Sequence, residues 1–231
     1  MVMNPSKNGS AEPRLRMDLP CTQAGRDAQA ELGLRAPGWY SRGYLPHYDD
    51  VSKFQAITFR LADSLPLWRL REIEAELRHQ PASRWEAFRR QRIEQWLDSG
   101  HGCCALRRPE LAQILEETLF RFHGVRYKLI AWCIMPNHVH TLILPRTRLA
   151  LIVQSWKSFT GRWALARNAE LGLGIPGKRL WMQDYWDRYM RNFRHLEQVM
   201  SYIHQNPVVA GLCERAEAWP WSSAGRYSGS A

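Results

Sequence analysis

The chain has 231 residues, of which 45% are hydrophobic and 23% charged, the proportions of a globular protein built on one core with ordinary extensions. No apolar run approaches the ~20 residues that a bilayer-spanning helix needs, and no apolar stretch follows the N-terminal lysine as a secretory signal would require. The net charge is +10, and residues 101–200 alone hold 15 Lys and Arg against 7 Asp and Glu, so the excess is clustered and points to a polyanion such as nucleic acid.

Residues 1–36 mix Pro, Gly, Ser and balanced charge without periodicity and are expected to form a flexible arm. One domain is expected over 37–226, with 227–231 as a tail. Phe54–Leu61 is rich in aromatic and β-branched residues and predicts a strand. Asp63 to Pro66 then supplies a cap and a proline, a helix opening. Helices are expected over Leu67–His79 and Arg84–Leu97, with a break near Pro81. Their charges nearly cancel, so 67–98 is expected to be a solvated helical insertion lying over the core.

Arg108–His123 carries apolar residues at 3–4 spacing and predicts an amphipathic helix stopped by Gly124. Val125–Met135 and His138–Leu144 read as two strands around a Pro136-Asn137 turn, a hairpin. Ala150–Asn168 is expected to be helical, Gly172–Gly177 a loop, and Trp181–Arg191 to contain a strand. His195–Asn206 is expected to be a helix ended by Pro207. This order suggests an α+β fold, an antiparallel sheet with helices mainly on one face.

Five cysteines (Cys21, Cys103, Cys104, Cys133, Cys213) are odd in number and form no CxxC, so no disulfide framework or zinc finger is expected, and a reducing cytoplasm fits best. His138 and His140 stand two apart on a predicted strand, which turns both imidazoles to one face. Such a pair suits a divalent metal, but the same spacing also arises from two histidines on the polar side of a strand. Tyr202 and Asn206 are i and i+4, so a phenol and an amide point the same way from the last predicted helix. A phenol can be a covalent nucleophile and an amide oxygen a hard-metal ligand; equally, both can be helix-edge packing and capping residues.

Lys157, Arg162, Lys178, Arg179, Arg188, Arg191 and Arg194 lie in the basic half, interleaved with Trp156, Trp181, Trp186 and Tyr189. Cations on phosphates with aromatic rings on bases is the pattern of single-stranded nucleic-acid binding; core tryptophans beside solvated cations would look the same.

The stretch MPNHVHTLILP (135–145), followed by MSYIHQNPVVAGL (200–212), resembles the single-tyrosine HUH transposases (IS200-like), and within them the REP-associated tyrosine transposases. RGYLPHYD (42–49) with ITFRLADSLP (57–66), IVQSWKSFTGRWA (152–164), WMQDYWDRYMRN (181–192) and WPWSS (219–223) are similar to further blocks of that family, so the likeness covers about 38–226. It implies a ferredoxin-like or RRM-like sheet and a nucleoid-associated, cytoplasmic enzyme that cuts and rejoins single-stranded DNA folded as a REP-like hairpin. By the resemblance, His138, His140 and Asn206 would hold Mg²⁺ or Mn²⁺, and Tyr202 would be the nucleophile, leaving a 5′-phosphotyrosyl link and a free 3′-OH. The segment of Arg42 and His47 would lie near the DNA. The REP-associated branch resembles a monomeric arrangement, which favours a monomer over a dimer here. Val209 departs from the family pattern, where arginine is common. His195 and His204 are the remaining candidates for a general base. Two other readings stay open on the sequence: a relative that clamps structured single strands without cutting them, and a zinc hydrolase built on the histidine pair.

Overall fold

A computed structural model describes residues 38–41 and 46–227. The expected arm at 1–36, Arg42 and the end of the tail lie outside the described residues. The main sheet has four strands: β3 (Gln55–Arg60), β4 (Tyr127–Ile134), β5 (His138–Pro145) and β6 (Trp186–Tyr189). Their spatial order is β4-β5-β3-β6 and all neighbours are antiparallel. Counting these four strands as first to fourth, the order is that of the ferredoxin-like βαββαβ fold. A separate hairpin of β1 (Gly38–Ser41) and β2 (Pro46–Asp49) precedes it.

Six helices complete the described chain: α1 (Leu67–Leu77), α2 (Trp85–Asp98), α3 (Pro109–Phe120), α4 (Leu149–Ala166), α5 (Phe193–Val209) and the single turn α6 (Ala224–Tyr227). The side chains of α3 and α4 share a buried cluster with Ile57, Phe59, Trp132, Ile134, Val139 and Ile143, one face of the sheet. Trp156 and Trp181 belong to this core, so these two rings fill the interior and cannot stack on bases. Their ring nitrogens stay satisfied: Trp156 donates to the Tyr127 hydroxyl at 2.8 Å and Trp181 to Thr160 Oγ1 at 2.9 Å.

The opposite face is covered by α5. Ala131, Cys133 and Leu142 of the sheet pack with Leu196 and Ile203 of that helix. Asn192 caps α5, its side chain accepting the His195 N–H at 2.9 Å. The helix does not stop at Asn206. It continues through Pro207 to Val209, because the missing proline N–H falls in the last turn and the Ala210 N–H still reaches the Asn206 carbonyl at 3.0 Å. The local price is met by burial of both Ile203 and Pro207.

At the start of α1 the expected side-chain cap is absent. Pro66 itself takes the cap position, and Asp63 instead accepts the Cys103 N–H at 2.6 Å. Gly102, at φ +90, makes that approach feasible, since a Cβ there would stand 3.0 Å from the Asp63 carboxyl. Helices α1 and α2 form a small core of their own from Leu65, Ile73, Ile93 and Leu97, joined by Trp96 and by Trp186 of β6. The insertion is therefore anchored to the open edge of the sheet, and its outer face alone is solvated.

Candidate active site

Pairing across β3 and β5 sets His140 opposite Thr58 and His138 opposite Arg60. Cross-strand partners share a face, so both histidines lie on the side covered by α5. Both are buried, at 1% and 3% exposure, and their Nε2 atoms are 3.0 Å apart. Asn137 fixes the tautomer of His138. Its Nδ2 donates to the Leu97 and His101 carbonyls at 3.0 and 2.9 Å, which leaves its Oδ1 to accept from His138 Nδ1 at 2.7 Å. His138 Nε2 is then a bare lone pair aimed at His140. His140 Nδ1 lies 2.8 Å from Thr58 Oγ1, which can donate or accept and so supports either tautomer. Burial lowers the pKa of His138 well below the usual value, helped by its neighbour, and takes His140 down to about 4. Both imidazoles are neutral near pH 7, the state in which they bind metals.

Helix α5 brings the other two predicted residues to this point. The Tyr202 ring meets the His140 ring edge-on, with centroids 5.5 Å apart. Asn206, one turn on, is 2% exposed, and its Oδ1 is buried without a hydrogen-bond partner. Burial raises the Tyr202 pKa, and the charges of Glu94 and Asp98 raise it further. The resting phenol is protonated and needs nearby positive charge to lose its proton.

The sequence reads α2 as part of a solvated insertion over the core; the structure puts two of its carboxyls at the site. Glu94 faces the Tyr202 hydroxyl, and Asp98 Oδ1 lies 3.7 Å from His138 Nε2. Burial raises both acids, Asp98 to about 6 with Glu94's charge adding to the effect. The signal for them was their own i, i+4 spacing, set beside the buried pair Ile93 and Leu97. Arg60 was also missed. It is 4% exposed, on the histidine face, with its guanidinium 5.7 Å from the Trp186 ring centroid. Among the described residues no carboxylate pairs with it within 4.0 Å, and burial lowers its pKa to about 10.

The donors fit a divalent cation. Two imidazole lone pairs, an unpartnered amide oxygen and nearby acidic charge are what such an ion requires. Among the described residues no three His, Cys, Asp or Glu side chains close on a metal by themselves.

The expected DNA-contact residues divide. Arg188 and Arg191 are exposed, and Arg188 pairs with Ala56 of β3, on the histidine face. Burial and the charges of Arg90 and Arg191 lower the Arg188 pKa, which marks three guanidiniums gathered beside Glu94. Arg162 is exposed on α4, across the sheet from the histidines. Lys157 is committed elsewhere: its Nζ donates to the Gln183 carbonyl at 2.7 Å and more weakly to that of Asp184. His47 is fully buried, its ring bonded to Asp187 and, at 2.9 Å, to Asp184. It holds the first hairpin to β6 and presents no surface to a nucleic acid. Of the two candidate bases, His204 Nε2 bonds Ser223 Oγ at 2.8 Å, and His195 Nδ1 accepts the Arg191 N–H.

Residues 106–206 match the family described as Transposase IS200 like. The span contains His138, His140, Tyr202 and Asn206 and excludes α1 and α2. A relative from Haemophilus influenzae, provisionally named a REP-associated tyrosine transposase, is 27% identical over 103 residues, 42% of this chain and 58% of that protein. The match thus spans less than two thirds of the relative's length. A solved structure described as a REP-associated tyrosine transposase bound to a REP hairpin shares the fold, with a TM-score of 0.52 at 15% identity over 82% of this chain and 87% of that one. No helix among the described residues is long and apolar enough to cross a membrane.

Proposed function

Because residues 106–206 match the IS200-like transposase family, we propose that the protein is a tyrosine-nucleophile endonuclease and strand transferase for hairpin-forming single-stranded DNA, working with Mg²⁺ or Mn²⁺. The observation that carries this reading is the meeting of the Tyr202 and His140 rings beside the unpartnered Asn206 oxygen, contributed by a helix and a strand far apart in the chain.

His138, His140 and Asn206 would hold the cation, with Asn137 and Thr58 orienting the two rings. Bound there, the ion supplies Lewis-acid charge to the scissile phosphate. Arg188, Arg191 and Arg90 would take the flanking backbone phosphates, giving affinity that falls with salt. Tyr202 Oη forms a bond to phosphorus as the bond from phosphorus to the 3′-oxygen breaks. Its proton passes to Glu94, the carboxylate that faces it. The departing 3′-oxygen takes a proton from water. The products are a 5′-phosphotyrosyl ester and a 3′-OH, and the ester keeps the energy of the original linkage, so rejoining needs no ATP. The hairpin substrate is drawn from the relatives, whose names refer to REP sequences and whose shared fold was seen with a REP hairpin.

The test is a denaturing gel of the protein incubated with labelled single-stranded hairpin and Mn²⁺. Tyr202→Phe is expected to abolish the covalent adduct while hairpin affinity changes less than about threefold, since only the attacking atom is lost. An undiminished adduct in that variant refutes the assignment. Salt-sensitive binding without any adduct in the unchanged protein would make it a non-cleaving clamp.

A further inference from the structure

The α1–α2 insertion lies outside the span shared with the transposase family, yet its second helix ends against the two histidines. Asp98 is the last residue of α2. A carboxylate at that end opposes the helix dipole, so its position is unfavourable for the helix by about 0.3–1 kcal/mol. Its Oδ1 is buried, lacks any hydrogen-bond partner, and stands 3.7 Å from the His138 nitrogen that carries a lone pair. His140 Nε2 can donate to that lone pair, but no donor reaches Asp98 Oδ1. Asn206 Oδ1 is orphaned in the same way. A cation satisfies both bare oxygens and the two facing imidazole nitrogens together.

We propose that Asp98 is a fourth donor to the cation, alongside His138, His140 and Asn206, so that the insertion completes the metal shell. This rests on the metal-dependent reading above and extends it. Donors sharing one ion at bonds of about 2.1 Å sit roughly 3.0–3.5 Å apart. The two Nε2 atoms already have that separation, at 3.0 Å. Asp98 stands slightly outside it, which is why the three side chains do not close on a point unaided. Two imidazoles, an amide oxygen and one carboxylate form a mixed set that suits Mn²⁺ better than the all-oxygen preference of Mg²⁺.

The experiment is Mn²⁺ titration of the full chain, followed by the paramagnetic resonance of free Mn²⁺, with the melting temperature recorded with and without the ion. Asp98→Ala is expected to weaken Mn²⁺ binding at least about tenfold and Asp98→Asn to weaken it less, both with a smaller Mn²⁺-induced rise in melting temperature. Without metal, both variants should melt no lower than the unchanged protein, because alanine removes the unpaired buried oxygen and asparagine offers His138 Nε2 an N–H in place of a charged oxygen. A purely structural Asp98 gives the reverse, a lower metal-free melting temperature with Mn²⁺ affinity intact, and overturns the proposal. If Asp98→Ala does not fold, equal affinity of Asp98→Asn and the unchanged chain overturns it instead. Affinity lost in His140→Ala but retained in the Asp98 variants sinks this inference alone. Absence of Mn²⁺ binding in the unchanged chain sinks the metal-dependent reading as well.

Discussion

Two groups of buried histidine, one on the first hairpin and one on the main sheet, have surroundings that make them opposites. His47 is fully enclosed with a carboxylate at each ring nitrogen. Burial would lower its pKa, but Asp184 and Asp187 outweigh that and raise it to about 9. It is a fixed imidazolium, with Tyr185 stacked on it at 4.3 Å. His138 and His140 are equally enclosed, yet each Nδ1 is occupied by a neutral oxygen and their Nε2 atoms face each other. They stay uncharged. Burial does not decide what an imidazole does; the charge and number of its partners do. The first group closes a structure, and the second leaves a lone pair pointing at a place where something must bind.

That contrast can be broken by substitution. The largest expected effect is at the open pair. His140→Ala should abolish Mn²⁺ binding and lower hairpin cleavage at least about a thousandfold, with the fold intact by circular dichroism. At the closed site, His47→Gln strands two carboxylates and should cost about 3 kcal/mol in urea unfolding, while adduct formation by the molecules that remain folded stays near normal. Swapped outcomes, with cleavage lost at His47 and stability lost at His140, would show the roles reversed.

The closed site also has a pH signature. Its folded pKa of about 9 lies above the unfolded value near 6.5. Its contribution to stability is therefore complete below about pH 6.5 and is lost as pH rises through 9. Amide exchange in β2, after correction for the intrinsic pH dependence, should lose protection across that window, and His47→Gln should remove the dependence. The smallest effect is expected at the support of the open pair. Thr58→Val removes the oxygen beside His140 Nδ1 and should weaken Mn²⁺ binding about tenfold without changing hairpin affinity. An unaltered Mn²⁺ affinity would mean that His140 is oriented by packing alone.

Local pattern made much of this legible. Alternation along β5 turned His138 and His140 to one face, Pro136 marked the hairpin turn, and the i, i+4 spacing of Tyr202 and Asn206 survived the misreading of Pro207 as a helix end. The helix expected over Arg108–His123 is α3, one residue shorter at its start and three at its end, and Gly124, at φ +80, follows it as the stop. What pattern could not give was tertiary convergence. The balanced charge of α1 and α2 looked like a solvated surface because the inward acids, Glu94 and Asp98, are diluted by the outward arginines. Lys157 read as a free cation and the resemblance set His47 near DNA, because their partners, the Gln183 carbonyl and Asp184 with Asp187, lie more than twenty residues away in the chain. Trp156 and Trp181 could be read as core or as stacking platforms, and the packing of α4 on the sheet makes them core.

Asn137 has a consequence for the order in which the protein matures. The same amide that orients His138 is tied to carbonyls at Leu97 and His101, on the end of the insertion and just beyond it. Until α2 has docked, that amide is free to turn and the imidazole has no assigned proton. A half-folded chain can display every residue of its motif and still lack an oriented imidazole pair until the last helical piece is in place.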